Sequence, residues 1–139
     1  MAGFLLDTNV LSELRKGART SPRVREWLES VPDESLWLSV LVLGEIRQGI
    51  ERCRSRDPKS AAHLERWLAK LALAYRDRVL DVDTRVAEQW GRLNAPSPLP
   101  AIDGLLAATA LVHELTLVTR NTADIARSGV RMLDPFEPK

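Results

Sequence analysis

The sequence predicts an α/β fold in which a mainly parallel sheet is covered by helices on both faces. Short apolar runs alternate along the chain with longer segments whose apolar residues recur at the helical period. Strands that alternate with helices form parallel sheets, because each helix carries the chain back across the sheet. The 139 residues show no repeat, no low-complexity segment and no sign of a second domain. We therefore expect one domain that covers residues 1–139.

The first predicted strand is Phe4-Leu5-Leu6, within the opening stretch Met1 to Asn9. This run is too short and too apolar for a surface helix, and it stops at Asp7. Four later runs of similar character are predicted as strands: Leu36-Trp37-Leu38, Val79-Leu80-Asp81-Val82, Leu115-Thr116-Leu117-Val118-Thr119 and Val130-Arg131-Met132-Leu133.

Helices are predicted between these strands from apolar periodicity and from capping residues. Ser21 followed by Pro22 and Asp57 followed by Pro58 are typical helix starts, and Asp83 or Thr84 caps a later helix. Residues 94–100 are predicted as a loop, because three prolines within five residues remove hydrogen-bond donors. The predicted helices run from 10 to about 15, from 22 onward, from 40 to about 54, from 58 to about 76, from about 84 onward, from 101 to 114, and from about 122 to Gly129.

Charge alone does not indicate a nucleic-acid partner, because the formal net charge is only +1. Two clusters of basic residues are nevertheless present. They could follow a phosphate backbone or could simply form solvated helix faces, and the sequence leaves both interpretations open. The clusters are Arg15, Lys16, Arg19, Arg23 and Arg25, and then Arg47, Arg52, Arg54, Arg56 and Lys59.

Several kinds of site are excluded by composition. The single cysteine, Cys53, allows neither an internal disulfide nor a cysteine-based zinc site. His63 and His113 match no metal-binding spacing, and we expect both to be packing or surface residues. The N-terminus has no basic region followed by a long apolar segment, so we expect no signal peptide, no membrane span and a cytoplasmic protein.

Four acids stand out by position: Asp7, Glu45, Asp103 and Asp124. Asp7 and Asp124 follow strand ends on one side of the predicted sheet, and Glu45 and Asp103 lie on helices that can line the same edge. Taken singly, Asp103 and Asp124 could merely cap helices. Glu45 is harder to explain by a purely structural role, because its helical neighbours are mostly apolar or small and a carboxylate is costly to bury there.

Crowded carboxylates repel one another, so a site of this kind needs a cation. Oxygen ligands suit Mg²⁺ or Mn²⁺ better than zinc. Such an ion lowers the pKa of a water and neutralises charge on a phosphate oxygen, which favours phosphodiester hydrolysis. No Ser-His-Asp set, glycine-rich phosphate loop or histidine pair indicates other chemistry.

With these residues in view, the chain resembles a PIN-domain ribonuclease, specifically a VapC or FitB-like toxin of a type II toxin–antitoxin system. Ile125 departs from the aromatic residue that often follows the last aspartate. The resemblance covers essentially the whole chain and rests on four motifs in order: Leu6-Asp7-Thr8-Asn9-Val10-Leu11-Ser12-Glu13, Ser39 to Gly49 around Glu45, Asp103 to Ala110, and Thr119-Arg120-Asn121-Thr122-Ala123-Asp124.

The resemblance implies a three-layer α/β/α sandwich, with Mg²⁺ or Mn²⁺ as cofactor. It implies single-stranded or structured RNA as the substrate, with tRNA a common class, cleaved by metal-activated water. It also implies a homodimer, and an antitoxin whose C-terminal segment wraps the toxin and covers the site. The long helix from Pro58 to about Arg76 is compatible with a helical clip for dimer or antitoxin contacts.

On this interpretation the four acids are the catalytic and metal-binding residues. Asp7, Glu45 and Asp103 bind the first metal, and Asp124 holds a second metal or binds through water. Arg120 could face phosphate or could be a surface residue. The predicted supporting residues, which orient the carboxylates or a water, are Thr8, Asn9, Thr119 and Asn121.

Two other functions share features with this sequence. A haloacid-dehalogenase-like phosphatase also begins with a strand and an aspartate, but that family needs a second aspartate where this chain has Asn9. A non-catalytic RNA-binding or regulatory module of the same fold is the stronger alternative. Retention of all four acids argues against it, because a binding protein has no reason to keep crowded carboxylates.

Overall fold

The computed structural model describes residues 3–137, so Met1, Ala2, Pro138 and Lys139 lie outside the described part. The described chain forms five strands: β1 (Gly3–Leu6), β2 (Leu36–Ser39), β3 (Val79–Leu80), β4 (Leu115–Val118) and β5 (Met132–Leu133). Its α-helices are α1 (Thr8–Leu14), α2 (Pro22–Glu29), α3 (Val40–Arg54), α4 (Pro58–Ala74), α5 (Thr84–Asn94), α6 (Ala101–Val112) and α7 (Thr122–Ile125). Short 3₁₀ turns cover Gly17–Arg19, Asp33–Ser35 and Ala126–Ser128.

The five strands form one sheet in the order β3-β2-β1-β4-β5, and every neighbouring pair is parallel. β1 lies at the centre, with Leu5 in register with Trp37 on one side and Leu117 on the other. This arrangement confirms the predicted parallel sheet. A central strand is buried on both faces, which explains why the run Phe4-Leu5-Leu6 carries no charge.

The direction in which strands are added reverses between β1 and β4. The chain builds outward from β1 to β3 on one side, then crosses back and adds β4 and β5 on the other. Right-handed crossovers therefore place α1 to α4 on one face and α5 to α7 on the other, which gives the predicted three layers. In open α/β sheets, ligands bind at the carboxyl ends of the strands where the strand order reverses, and Asp7 and Thr119 lie at that point.

The core surrounds the sheet and extends under α6. The side chains of Ala107, Ala108 and Ala110 are fully buried, because small residues let α6 approach its neighbours closely. Gly104 allows the same approach next to Asp103, since a Cβ atom there would lie 3.2 Å from Nδ2 of Asn94. The largest fully buried side chains include Leu5, Leu6, Leu11, Leu38, Ile50, Leu106, Leu117 and Ile125.

The capping residues explain where several helices begin. Asp57 accepts a hydrogen bond from the Ser60 N–H at 3.1 Å, as expected for the start of α4. Asp83, rather than Thr84, caps α5 and accepts from the Val86 N–H at 3.0 Å. Ser21 lies at the predicted cap of α2 but its side chain makes no capping bond.

The boundaries of some elements differ from the predictions by a few residues. α4 ends at Ala74 and α6 at Val112, and β3 and β5 pair over only two residues each. These short strands lie at the edges of the sheet, where pairing on one side leaves less to hold further residues in register. Within residues 3–137, no helix has both the length and the apolar character needed to cross a membrane.

Two of the five residues of the second basic cluster, Arg47 and Arg54, form ion pairs with acids on α3 and α4. Glu65 on α4 lies 2.7 Å from Nη1 of Arg47 and 2.6 Å from Nη2 of Arg54. Glu51 pairs with both arginines at 3.1 Å. The hydrogen bonds from Arg47 and Arg54 hold the pKa of Glu65 below its usual range. This surface is therefore a network between two helices, which favours the solvated-face interpretation for Arg47 and Arg54.

Candidate active site

Asp7 lies at the carboxyl end of the central strand and is only 4% exposed. Its backbone N–H continues the sheet by donating to the Val118 carbonyl at 3.0 Å. Its side chain then caps α1, with Oδ1 accepting from the Thr8 N–H at 2.7 Å. The Oδ2 atom accepts from Asn9 Nδ2 at 3.0 Å and from Thr119 Oγ1 at 2.7 Å. The Asp7 carboxylate is thus fixed in place by bonds from three residues.

Glu45 reaches the same region from α3. Its Oε1 accepts a hydrogen bond from Thr8 Oγ1 at 2.6 Å, which links a residue of α1 to one 37 positions later. Ser39, which ends β2, caps α3 by accepting from the Leu41 N–H at 3.0 Å. The strand end therefore sets where α3 begins and so where Glu45 lies. Thr8 brings the Asp7 and Glu45 carboxylates together, because its backbone binds one and its hydroxyl the other.

Asp103 is half-buried in the first turn of α6, and Asp124 is exposed in α7. Burial raises the pKa of Asp103 most, and the negative charges of Asp7, Glu45 and Asp124 raise it further. A carboxylate responds in this way only to charges that lie near it. The structure therefore brings the four acids into one electrostatic neighbourhood, from four elements spread across more than 110 residues of sequence.

Thr119 is the centre of the polar network around these acids and is fully buried. Its hydroxyl accepts from the Asn121 N–H at 3.0 Å and lies 3.4 Å from Asn9 Nδ2. Because those contacts occupy its oxygen, its own hydrogen points to Asp7. Asn9 also accepts the Arg120 N–H at 3.3 Å. Of the four predicted supporting residues, Thr8, Asn9 and Thr119 bond carboxylates directly, whereas Asn121 acts on Thr119 through its backbone.

The oxygen donors of these four carboxylates are of the chemical kind that a hard divalent cation prefers. None of the ion pairs found within residues 3–137 involves Asp7, Glu45, Asp103 or Asp124, so protein cations do not neutralise them. Glu45 Oε2 has no hydrogen-bond partner in this part of the chain, and it keeps its lone pairs for another ligand. Among the described residues, no group of three or more His, Cys, Asp or Glu side chains is arranged so that it could bind a metal ion.

Glu13 is a buried carboxylate for which the sequence predicts no role. It is 8% exposed and accepts from the Ser21 N–H at 2.8 Å and from Lys16 Nζ at 3.0 Å. The bond from the Ser21 N–H, together with Lys16, holds its pKa below the usual range. Glu13 thus binds the residue that precedes α2 and holds the start of α2 against α1. The only sequence signal was the i,i+3 spacing to Lys16.

Replacing Thr119 by Val should destabilise the protein by about 1–3 kcal/mol, although the shape is kept. The valine would remove one of the two donors to Oδ2 of Asp7, since only Asn9 would remain, and would leave the Asn121 N–H without its acceptor. Thr119→Ser should retain most of the stability, because it keeps the hydroxyl. Urea unfolding of both variants measures this difference, with Thr116→Val as a control in the same strand. Equal stabilities for Thr119→Val and Thr116→Val would contradict the structural role of the hydroxyl.

Comparison with known proteins gives consistent matches. The PIN domain family model matches residues 4–128. The chain is 31% identical to Toxin FitB of Neisseria gonorrhoeae, over 96% of this chain and 98% of the relative. It is 30% identical to VapC ribonuclease Y4jK of Sinorhizobium fredii, over 97% and 99% of the two chains. The crystal structure of FitAcB from Neisseria gonorrhoeae matches with a TM-score of 0.88 and 30% identity, covering 97% of this chain and 99% of that chain.

Proposed function

The chain belongs to the PIN domain family, and on that premise we propose that it is a metal-dependent endoribonuclease, the toxin of a type II toxin–antitoxin system. The observation that carries this proposal is the set of four carboxylates at the reversal point of the sheet, without a basic partner in the described chain. The names of the two relatives, a toxin and a ribonuclease, support the same function.

Asp7, Glu45 and Asp103 would hold the first ion, Mg²⁺ or Mn²⁺, and Asp124 would bind a second ion or act through water. When bound, such an ion lowers the pKa of a water and neutralises negative charge on the phosphate. Oxygen ligands from carboxylates are those that Mg²⁺ and Mn²⁺ prefer. The raised pKa of Asp103 supports this assignment, because a cation would relieve the repulsion from the other three carboxylates, which adds to the larger effect of burial.

The chain's own residues keep these carboxylates in place. The Thr8 hydroxyl orients Glu45, while Asn9 and the Thr119 hydroxyl orient Asp7. The Asn121 N–H in turn fixes the direction in which Thr119 donates. Such hydrogen bonds hold each metal-binding carboxylate in its productive orientation before the substrate arrives. The entropy of ordering these side chains is therefore lost on folding and not during the reaction.

The direct test is RNA cleavage by the purified chain, freed of any partner protein. Total RNA would be incubated with Mn²⁺ or Mg²⁺, with EDTA in one control and Asp103→Asn in another. We expect discrete fragments that require metal and disappear in the variant. Cleavage by the variant equal to that of the wild type would exclude these acids as the site. RNA binding without metal-dependent cleavage would instead support the alternative, a non-catalytic RNA-binding or regulatory PIN module.

The family resemblance extends the proposal to partners. We expect a homodimer and a cognate antitoxin, and the toxin relative supports this expectation. The antitoxin would cover the acidic edge, the part of the sheet's carboxyl edge where Asp7, Glu45, Asp103 and Asp124 lie. The α3–α4 hairpin, held by ion pairs of Arg47 and Arg54 with Glu51 and Glu65, is the candidate clip for these contacts. We place the activity in the cytoplasm, where such RNA is found, and assign it to a single domain over residues 1–139.

A further inference from the structure

Arg120 follows directly after Thr119 at the carboxyl edge of β4. Its backbone N–H donates to Asn9 Oδ1 at 3.3 Å, and Asn9 in turn donates to Asp7. The residue is exposed to solvent. Two hydrogen bonds therefore separate the Arg120 backbone from the buried carboxylate of the site, and Arg120 lies on the rim of the acidic edge.

The Arg120 guanidinium is held against an aromatic ring. Its Cζ lies 3.6 Å from the centre of the Phe136 ring, a close cation–π contact. Phe136 is fixed by a turn in which its N–H bonds Asp134 Oδ1 at 2.9 Å, and its ring packs against the core. The ring restricts the rotamers of Arg120, so binding a ligand there costs less side-chain entropy than at a freely moving arginine.

The donors of this guanidinium are uncommitted within residues 3–137. No hydrogen bond or ion pair of the described chain uses the Arg120 side chain, in contrast to Arg78. Arg78 also packs over an aromatic ring, that of Tyr75, but it donates to the carbonyls of Asp33, Leu36 and Ala74. Arg78 is thus a structural clamp, whereas Arg120 is oriented and still has its donors available.

Among the described residues, no nearby acid forms an ion pair with Arg120. Glu13 lies close enough for Arg120 to contribute to its lowered pKa, behind the larger effects of Ser21 and Lys16. Its carboxylate is already bonded by the Ser21 N–H and by Lys16 Nζ. A rim cation that is oriented but unpaired, beside a group of carboxylates, suits an anionic ligand that must approach those carboxylates despite their repulsion.

We propose that Arg120, held by Phe136, binds a backbone phosphate of the single-stranded RNA substrate at the rim of the acidic site. The inference rests on the proposed function and deepens it by naming a substrate-binding residue. A planar guanidinium matches phosphate oxygens with two parallel N–H bonds, which an ammonium cannot do. Phe136 is a positioning residue, because it acts through Arg120. Such a contact orients the backbone without reading sequence.

The test is binding of a fluorescein-labelled single-stranded RNA of mixed sequence, followed by fluorescence anisotropy. The parent is Asp103→Asn, so that the RNA stays intact. Adding Arg120→Ala should weaken binding about tenfold, as expected for one charge-assisted phosphate contact. It should also reduce the slope of log affinity against log salt by about 0.7, the share of one phosphate on a single strand. Arg120→Lys should restore the salt slope but only part of the affinity.

Arg131 provides the matched control. It is an exposed arginine just before β5, at the opposite edge of the sheet from the acids, so Arg131→Ala changes the net charge equally. We expect it to leave affinity and salt slope unchanged. Phe136→Leu should weaken binding, and Phe136→Tyr should restore it, because the ring and not mere bulk positions Arg120. Thermal unfolding of each variant verifies the fold.

The outcomes separate this inference from the ribonuclease proposal. Equal losses for Arg120→Ala and Arg131→Ala, or a parent that does not bind the RNA, would overturn the role of Arg120. Wild-type protein that binds RNA through Arg120 but cleaves none would retain this inference and reject the ribonuclease. Cleavage by the wild type with no effect of Arg120→Ala on binding would support the ribonuclease proposal and overturn the role of Arg120.

Discussion

Replacing Asp103 by Asn should abolish RNA cleavage and, at the same time, stabilise the metal-free protein at neutral pH. We expect activity to fall on the order of 100-fold or more, since changes even to residues behind metal ligands cost 10- to 100-fold. The gain in stability follows from the structure, because three other carboxylates and partial burial disfavour the charged form of Asp103. Asparagine keeps the shape and removes the charge.

The direction of the pH dependence distinguishes this effect from general stabilisation. The folded-state pKa of Asp103 lies above its unfolded value, so the folded state loses stability as the pH rises from the usual aspartate range through the raised pKa. The destabilisation caused by the charged Asp103 carboxylate is fully present at neutral pH and absent in acid. The Asn variant should therefore exceed the wild type in stability at pH 7, and the difference should vanish as the pH falls below the usual aspartate range.

Thermal unfolding across this pH range measures the difference, with Asp77→Asn as a control at an exposed turn. Added Mg²⁺ or Mn²⁺ should raise the Tm of the wild type more than that of Asp103→Asn, because ligand binding stabilises only the state that binds it. A variant with full cleavage activity would reject the site. A variant less stable than the wild type at neutral pH would reject the electrostatic account of Asp103.

Replacing Leu5 by Ala should cause the largest loss of stability, about 2–5 kcal/mol. Leu5 is 0% exposed in the central strand and lies between Trp37 and Leu117 in register. Alanine would remove buried methyl groups and leave a cavity that a strand paired on both sides cannot close. For a chain of this size, we expect the Tm to fall on the order of 10 °C.

Leu73→Ala is the matched control for the Leu5 substitution. Leu73 carries the same side chain but is 63% exposed on α4, so its truncation should change stability by no more than about 0.5 kcal/mol. Both variants would be compared by urea unfolding, where a lower midpoint at an unchanged slope reports stability alone. Similar midpoints for the two variants would contradict the central, buried position of β1.

The fold class, the order of the elements and the residues worth testing all follow from local patterns in the sequence. Strand runs such as Phe4-Leu5-Leu6 and starts such as Asp57-Pro58 are local signals, since burial on both faces and helix capping each require particular residues at adjacent positions. The four acids were recognisable because they interrupt apolar or helix-forming segments. Their roles as metal ligands stay predictions, which the cleavage and unfolding experiments address.

The contacts that those residues make depend on the packing of distant segments and cannot be derived from local patterns. The Thr8–Glu45 bond, the Thr119–Asp7 bond and the Arg120–Phe136 contact each join positions that no local pattern connects. Glu13 lies at the end of the first motif, and its structural role depends on its contact with Ser21. A sequence pattern records whether a residue is suited to a strand end or a helix face. Which other residue lies opposite depends on the strand order β3-β2-β1-β4-β5, because that order places the end of β4 beside the end of β1.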